Sequence, residues 1–160
     1  MVLELKLLIL LSAANIAPVL ARYLLRERWG WAIDHGLTLR DGQPLFGASK
    51  TWRGLVAALL LTAVVSVLLG LPLGFGLLFA AASMLGDLLS SFTKRRLGKA
   101  SSTRFLALDQ IPEALLPLIA GRIWLDYSWL TVIVISLLFM LLDMVASPIL
   151  FRLGIRRRPF

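Results

Sequence analysis

Cysteine is absent and histidine occurs once, at His35. The first absence excludes a disulfide framework and any thiolate-held metal. The second excludes a histidine-built metal centre, so a bound metal would rest on oxygen ligands, which suit magnesium-like or calcium-like ions. Acids are also scarce, with nine Asp and Glu against seventeen Lys and Arg and a net charge of +8. Charge is missing altogether from residues 55–71, 73–85 and 127–142.

What is present is apolar. Hydrophobic residues make up 59% of the 160-residue chain, above the roughly half expected of a soluble domain. A bilayer-crossing helix needs about 20 mostly apolar residues, and only helices or closed barrels satisfy their backbone in lipid. Barrel strands would alternate polar and apolar residues. These runs are unbroken, so the fold expected is all-α: a polytopic bundle of five transmembrane helices.

The spans are expected at about 2–21, 54–71, 73–92, 108–124 and 128–151, in one integral membrane domain over 1–160. The first reads as a retained helix rather than a signal peptide, because Asn15 and Pro18 interrupt a small-residue cleavage site. Loops 22–53 and 93–107 and the tail 152–160 hold every Lys and Arg except Lys6 and Arg122. By the positive-inside rule the N-terminus lies outside and the C-terminus in the cytoplasm, with the chain in the cell membrane. The cations thus follow membrane topology, which removes the argument for nucleic acid. Trp124, Tyr127 and Trp129 are expected in an outer interfacial belt, and Trp29, Trp31 and Trp52 in an inner one. Five spans do not divide into equal inverted halves, which counts against a transporter.

Besides Glu4 at the head of the first span, five acids lie near or inside these spans: Asp87, Asp109, Glu113, Asp126 and Asp143. A charge at bilayer depth costs about 2.5–3.5 kcal/mol or more, so each needs a reason. Asp126 falls in an outer connection and reads as solvated. Asp143 either pairs with an arginine of the inner loops or lines a site. Asp87 shares a helical face with Ser91, Lys94 and Arg95, at spacings of four, seven and eight. That stripe offers an oxygen ligand for a cation, then hydroxyl and cationic partners for anions; the blander reading is a salt bridge from Asp87 to Lys94 or Arg95. Gly86 beside it permits close approach of a helix or a ligand.

Asp109 and Glu113 lie one turn apart on the fourth span, with Pro112 suited to a helix's first turn. The helix dipole accounts for one acid there more easily than for two. A second carboxylate beside Asp87 is what a two-ion phosphate site would need. In the first inner loop, "DGQPLFGASKTWRG" supplies a glycine-containing turn with backbone N–H groups, and Lys50 and Arg53 add charge-assisted bonds to phosphates. Its spacing excludes a nucleotide P-loop, and an anchor for lipid headgroups is the alternative. Together these parts fit an enzyme that joins a polyanionic nucleotide to a membrane phospholipid. A non-catalytic scaffold or carrier binding anionic lipid through the basic loops would need the cations but not Asp87.

"DGQPLFGASKTWRG", "GDLLSSFTKRRLG", "LDQIP" and "ANIAP" together resemble the CDP-archaeol synthase family, a compact branch of the CTP:phosphatidate cytidylyltransferases, over almost the whole chain. The resemblance implies a five-helix membrane enzyme that transfers CMP from CTP to a phosphatidate-like lipid such as archaetidic acid, with magnesium, releasing pyrophosphate. It implies metal binding by Asp87, phosphate contacts by Ser91, Lys94, Arg95 and Arg96, and a matching acid at Asp109. Asp41, Gly42, Ser49, Lys50, Thr51 and Arg53 are carried over as nucleotide contacts, with the active site facing the cytoplasm. Two positions depart from the wider pattern. "GKASSTRF" carries no acid, and Pro112 stands where a second aspartate would, leaving Asp109 as second metal ligand and Glu113 in reserve. Ser147 stands where the family suggests asparagine. A homodimer is compatible with the sequence.

Overall fold

The computed structural model describes residues 2–99 and 106–155, with 106–109 as backbone only. Among the described residues five helices follow in order: α1 (Leu3–Leu25), α2 (Trp52–Leu68), α3 (Leu73–Arg96), α4 (Leu106–Gly121) and α5 (Trp129–Arg152). Among the described residues α1, α3 and α5 are long and apolar enough to cross a membrane, and α2 is a shorter apolar helix. The exposed faces are apolar too: Leu130, Ile133, Leu137 and Leu141 of α5 all point outward. Water would penalise such a surface and lipid accommodates it.

Local chemistry sets the helix starts. The Thr51 hydroxyl accepts from the Gly54 amide at 3.3 Å and Ser128 accepts from Thr131 at 3.0 Å, each satisfying a first-turn donor. The α2–α3 turn closes when Ser66 Oγ donates to the Pro72 carbonyl at 3.0 Å. α3 is the central element, packing most heavily on α4 and α2.

Two apolar clusters hold the bundle. The larger joins Leu7, Leu10 and Leu11 of α1 to Phe75 and Phe79 of α3, Leu118 of α4 and Ile135 of α5. α1 is therefore part of the core. The smaller cluster, Ala17, Ala58 and Met84, sits where α1, α2 and α3 approach the first loop.

Tyr127 departs from the interfacial belt expected of it. It is only 6% exposed, and its hydroxyl donates to the Leu118 carbonyl. Burial pushes its phenol up to about 12, and nearby Arg122 acts in the opposite direction. A carbonyl near the end of α4 gives the hydroxyl a partner inside the protein, so it has no need of the headgroup layer. The five tryptophans named with it are all exposed.

Candidate active site at the α3–α4 crossing

α3 and α4 cross with their backbones in contact. A Cβ at Gly86 would collide with the Pro112 carbonyl and the Glu113 amide, so only glycine fits. Ser83 reinforces the crossing by donating to the Glu113 carbonyl at 3.3 Å. The close approach that Gly86 permits is thus made by a helix.

This contact sets Asp87, one residue beyond Gly86, with its carboxyl group close to that of Glu113. Asp87 also forms an ion pair with Lys50, which reaches in from the end of the first loop. Lys94, two turns further along α3, contributes a second positive charge. Two carboxylates and two ammonium groups therefore converge from three parts of the chain. Lys50 and Asp87 keep 19% and 20% of their side-chain surface exposed, so the cluster is sheltered yet reachable. Ser91, Lys94 and Arg95 complete the α3 stripe and are nearly buried.

Other residues expected to touch nucleotide shape the loop. Arg53 donates from Nη1 to the carbonyls of Arg26 (2.7 Å) and Arg28 (2.6 Å), just past the end of α1. Arg96 pairs with Asp41 at 2.7 Å and donates to the carbonyls of Gln43 (3.2 Å) and Pro44 (2.7 Å). Its guanidinium also lies 5.2 Å over the Phe92 ring. Gly42 takes φ +72 in the tip turn, Thr51 caps α2, and Ser49 is exposed. Besides the charge of Lys94 on its own helix, Asp87 thus takes an ion-pair partner 37 residues away in Lys50, which neither reading of its helical face supplied.

The Asp109 side chain lies outside the described residues; its backbone is on α4, one turn before Glu113. Of the two readings for Asp143, the structure adds a third partner set: Gln110 of α4 donates to it at 2.8 Å, and Ser147, one turn along α5, at 3.3 Å.

Sequence reasoning missed Asp34. Its carboxylate is 7% exposed and accepts from the amides of Gly36 (3.1 Å), Phe46 (2.9 Å) and Gly47 (2.7 Å). Burial acts to raise its pKa, but these amide donors prevail and hold it below the ordinary aspartate value. The only advance signal is an Asp two residues before Gly36, a common turn arrangement.

Among the described residues no three Asp, Glu, His or Cys side chains gather as a metal cluster. The Asp87–Glu113 pair nonetheless fits magnesium, which is commonly held by one or two carboxylates, with water and substrate phosphates as its other ligands.

Comparison with known proteins bears on what this site does. A family model described as CarS-like, CDP-archaeol synthase, matches residues 3–160. The chain is 33% identical over 140 residues to a CDP-archaeol synthase of Sulfurisphaera tokodaii, covering 82% of each. It is 30% identical over 152 residues to that of Pyrobaculum arsenaticum, covering 92% of this chain and 91% of the relative. A match to the Hyperthermus butylicus protein reaches 39% identity over 105 residues but spans only 60% of that relative. Among solved structures, an intramembrane enzyme for archaeal membrane lipid biosynthesis superposes with a TM-score of 0.74 at 25% identity, covering 89% of this chain and 90% of the other.

Proposed function

The chain belongs to the CarS-like CDP-archaeol synthase family, and from that premise we propose that it is a membrane cytidylyltransferase that moves CMP from CTP onto the phosphate of a phosphatidate-like lipid. The products are a CDP-activated lipid and pyrophosphate. All five helices cross the bilayer, the N-terminus outside and the C-terminus in the cytoplasm, so the α3–α4 crossing opens toward cytoplasmic CTP. The observation that carries this reading is the meeting of Asp87 and Glu113 with Lys50 and Lys94.

Two phosphorylated substrates repel each other, so the site must bring like charges together. Lys50 and Lys94 each offer three ammonium donors to phosphate oxygens. Ser91 and Arg95 extend the same stripe, and Arg53 and Arg96 hold the loop from which Lys50 reaches in. Asp87 and Glu113 would hold magnesium, with Asp109 the further candidate; when bound, the ion supplies neutralisation of the phosphate charge. A lipid phosphate monoester is already anionic near neutral pH. Its oxygen attacks the α-phosphorus of CTP, one P–O bond forms, the bond to the β-phosphate breaks, and pyrophosphate leaves. No side chain has to remove a proton, so the protein's contribution is positioning and charge.

The test is magnesium-dependent pyrophosphate release by detergent-purified protein, using CTP against the other nucleoside triphosphates and ether-linked against ester-linked lipid phosphates. Lipid-dependent release that prefers CTP supports the proposal, and the lipid panel reports chain chemistry. A folded protein that binds anionic lipid yet releases nothing with any lipid would overturn it in favour of the scaffold.

A further inference from the structure

The first inner loop looks too long to hold a side chain in place, yet Lys50 reaches Asp87 from its far end. A closed circuit of hydrogen bonds explains how. Asp34 accepts from the Gly47 amide at 2.7 Å, the Gly47 carbonyl accepts from the Lys50 amide at 3.1 Å, and the Lys50 carbonyl accepts from the Ile33 amide at 2.8 Å. Ile33 is bonded to Asp34, which closes the ring. Both backbone polar groups of Lys50 are thereby engaged. An antiparallel bridge between Ala32 and Thr51, with Trp52 donating to the Trp31 carbonyl at 3.1 Å, secures the base of the circuit.

The carboxylate also gathers the loop from the other direction. One oxygen takes Gly36 at 3.1 Å, and the other takes Phe46 and Gly47 together. Three donors converge on a buried acceptor, which a carboxylate satisfies better than any neutral side chain. An asparagine at this position would turn its NH2 toward one of those amides and lose at least one bond.

We infer that Asp34 is the positioning residue of this site: by tying both ends of the 36–47 segment to itself, it sets where the Lys50 ammonium can stand for the nucleotide phosphates. The inference rests on the phosphate-binding role proposed for Lys50, and concerns a residue whose carboxylate is engaged by loop amides.

The test compares CTP affinity, by calorimetry in detergent, with KM for CTP and for the lipid in wild type, Asp34→Asn, Lys50→Ala and the double variant. Asp34→Asn is expected to weaken CTP binding and raise its KM about tenfold, with the lipid KM within about twofold. Asp34→Ala should be worse, with Asn as the partial rescue. In the Lys50→Ala background, Asp34→Asn should change CTP affinity by less than about twofold, because a residue acting through Lys50 has nothing left to position. Independent, multiplying losses would overturn the inference, as would equal loss of CTP and lipid binding, the mark of a general folding role. If Lys50→Ala weakens CTP binding and Asp34→Asn does not, the positioning role alone fails. If neither does, the role of Lys50 fails with it.

Hydrogen exchange on the wild-type protein gives a reading that no variant's folding can obscure. The Gly47 and Lys50 amides should exchange at least about tenfold slower than those of Arg40 and Asp41 at the exposed tip. Equal rates would overturn the circuit on which the inference stands.

Discussion

Near its start α3 buries Phe75 and Phe79 completely, their rings 5.6 Å apart and packed against Leu7, Leu118 and Ile135. Eight residues beyond Phe79 the same helix presents Asp87, and after it Ser91, Lys94 and Arg95. At the first end α3 meets its neighbours through side chains that need only shape. At the other it meets α4 backbone to backbone, at Gly86, and turns charged groups toward the first loop. The lesson is that one helix joins an apolar, stabilising end to a charged one, so the charges at Asp87 are held by packing some distance away. Damage at the two ends should therefore have separable signatures.

The largest effect expected is on stability, from the apolar end. Phe79→Ala removes a fully buried ring and should cost about 3–5 kcal/mol, seen as a fall in Tm in detergent, with KM for CTP little changed in the protein that remains folded. Asp87→Asn sharpens the contrast from the other side. Pyrophosphate release should fall about a hundredfold or more, equivalent to roughly 3 kcal/mol of lost transition-state stabilisation, while Tm stays near wild type. If Phe79→Ala instead shifted KM selectively, or Asp87→Asn mainly unfolded the protein, the division between the two ends would be wrong.

Gly86→Ala tests the junction. The added methyl meets the backbone of Pro112 and Glu113, so the helices must part, at a cost of about 1–3 kcal/mol. Both readouts should drop together, unlike either variant above. A protein with normal Tm and normal turnover would show that the crossing is looser than described.

The smallest effect concerns acid. An aspartate in the unfolded chain titrates near 4, whereas the amides of Gly47, Phe46 and Gly36 hold Asp34 lower against the opposing pull of burial. Its stabilisation of the loop is therefore fully present above about pH 4 and is lost as pH falls through the lower native value. Limited proteolysis of the loop should rise in that window for wild type, and Asp34→Asn should flatten the dependence. An identical acid profile in both proteins would remove Asp34 as its source.

The helices were legible because lipid-facing and core-facing residues are both apolar, and charge-free runs of that length have few alternatives. Asp87 was legible for the complementary reason: a carboxylate in such a run is costly and stands out. Its partners were not. Lys50 is 37 residues away, beyond a loop whose path no periodicity describes. Glu113 lies where α4 crosses Gly86, and sequence spacing by itself does not tell which turn of α4 does so. Tyr127 looked interfacial by type and position, and a backbone carbonyl of α4 drew it inward. Asp34 was invisible because its partners are backbone amides, which every residue but proline possesses and no sequence pattern marks.

By itself the sequence determined the solvent, the helical class, the basic loops and the motifs that place the chain in its family, since these depend on composition and on the order of residues along the chain. Tertiary structure alone decided which carboxylates meet, which lysine joins them and which charges serve the loop. Those outcomes depend on where helices cross and where backbone hydrogen bonds close, and both are set by contacts between residues far apart in the chain.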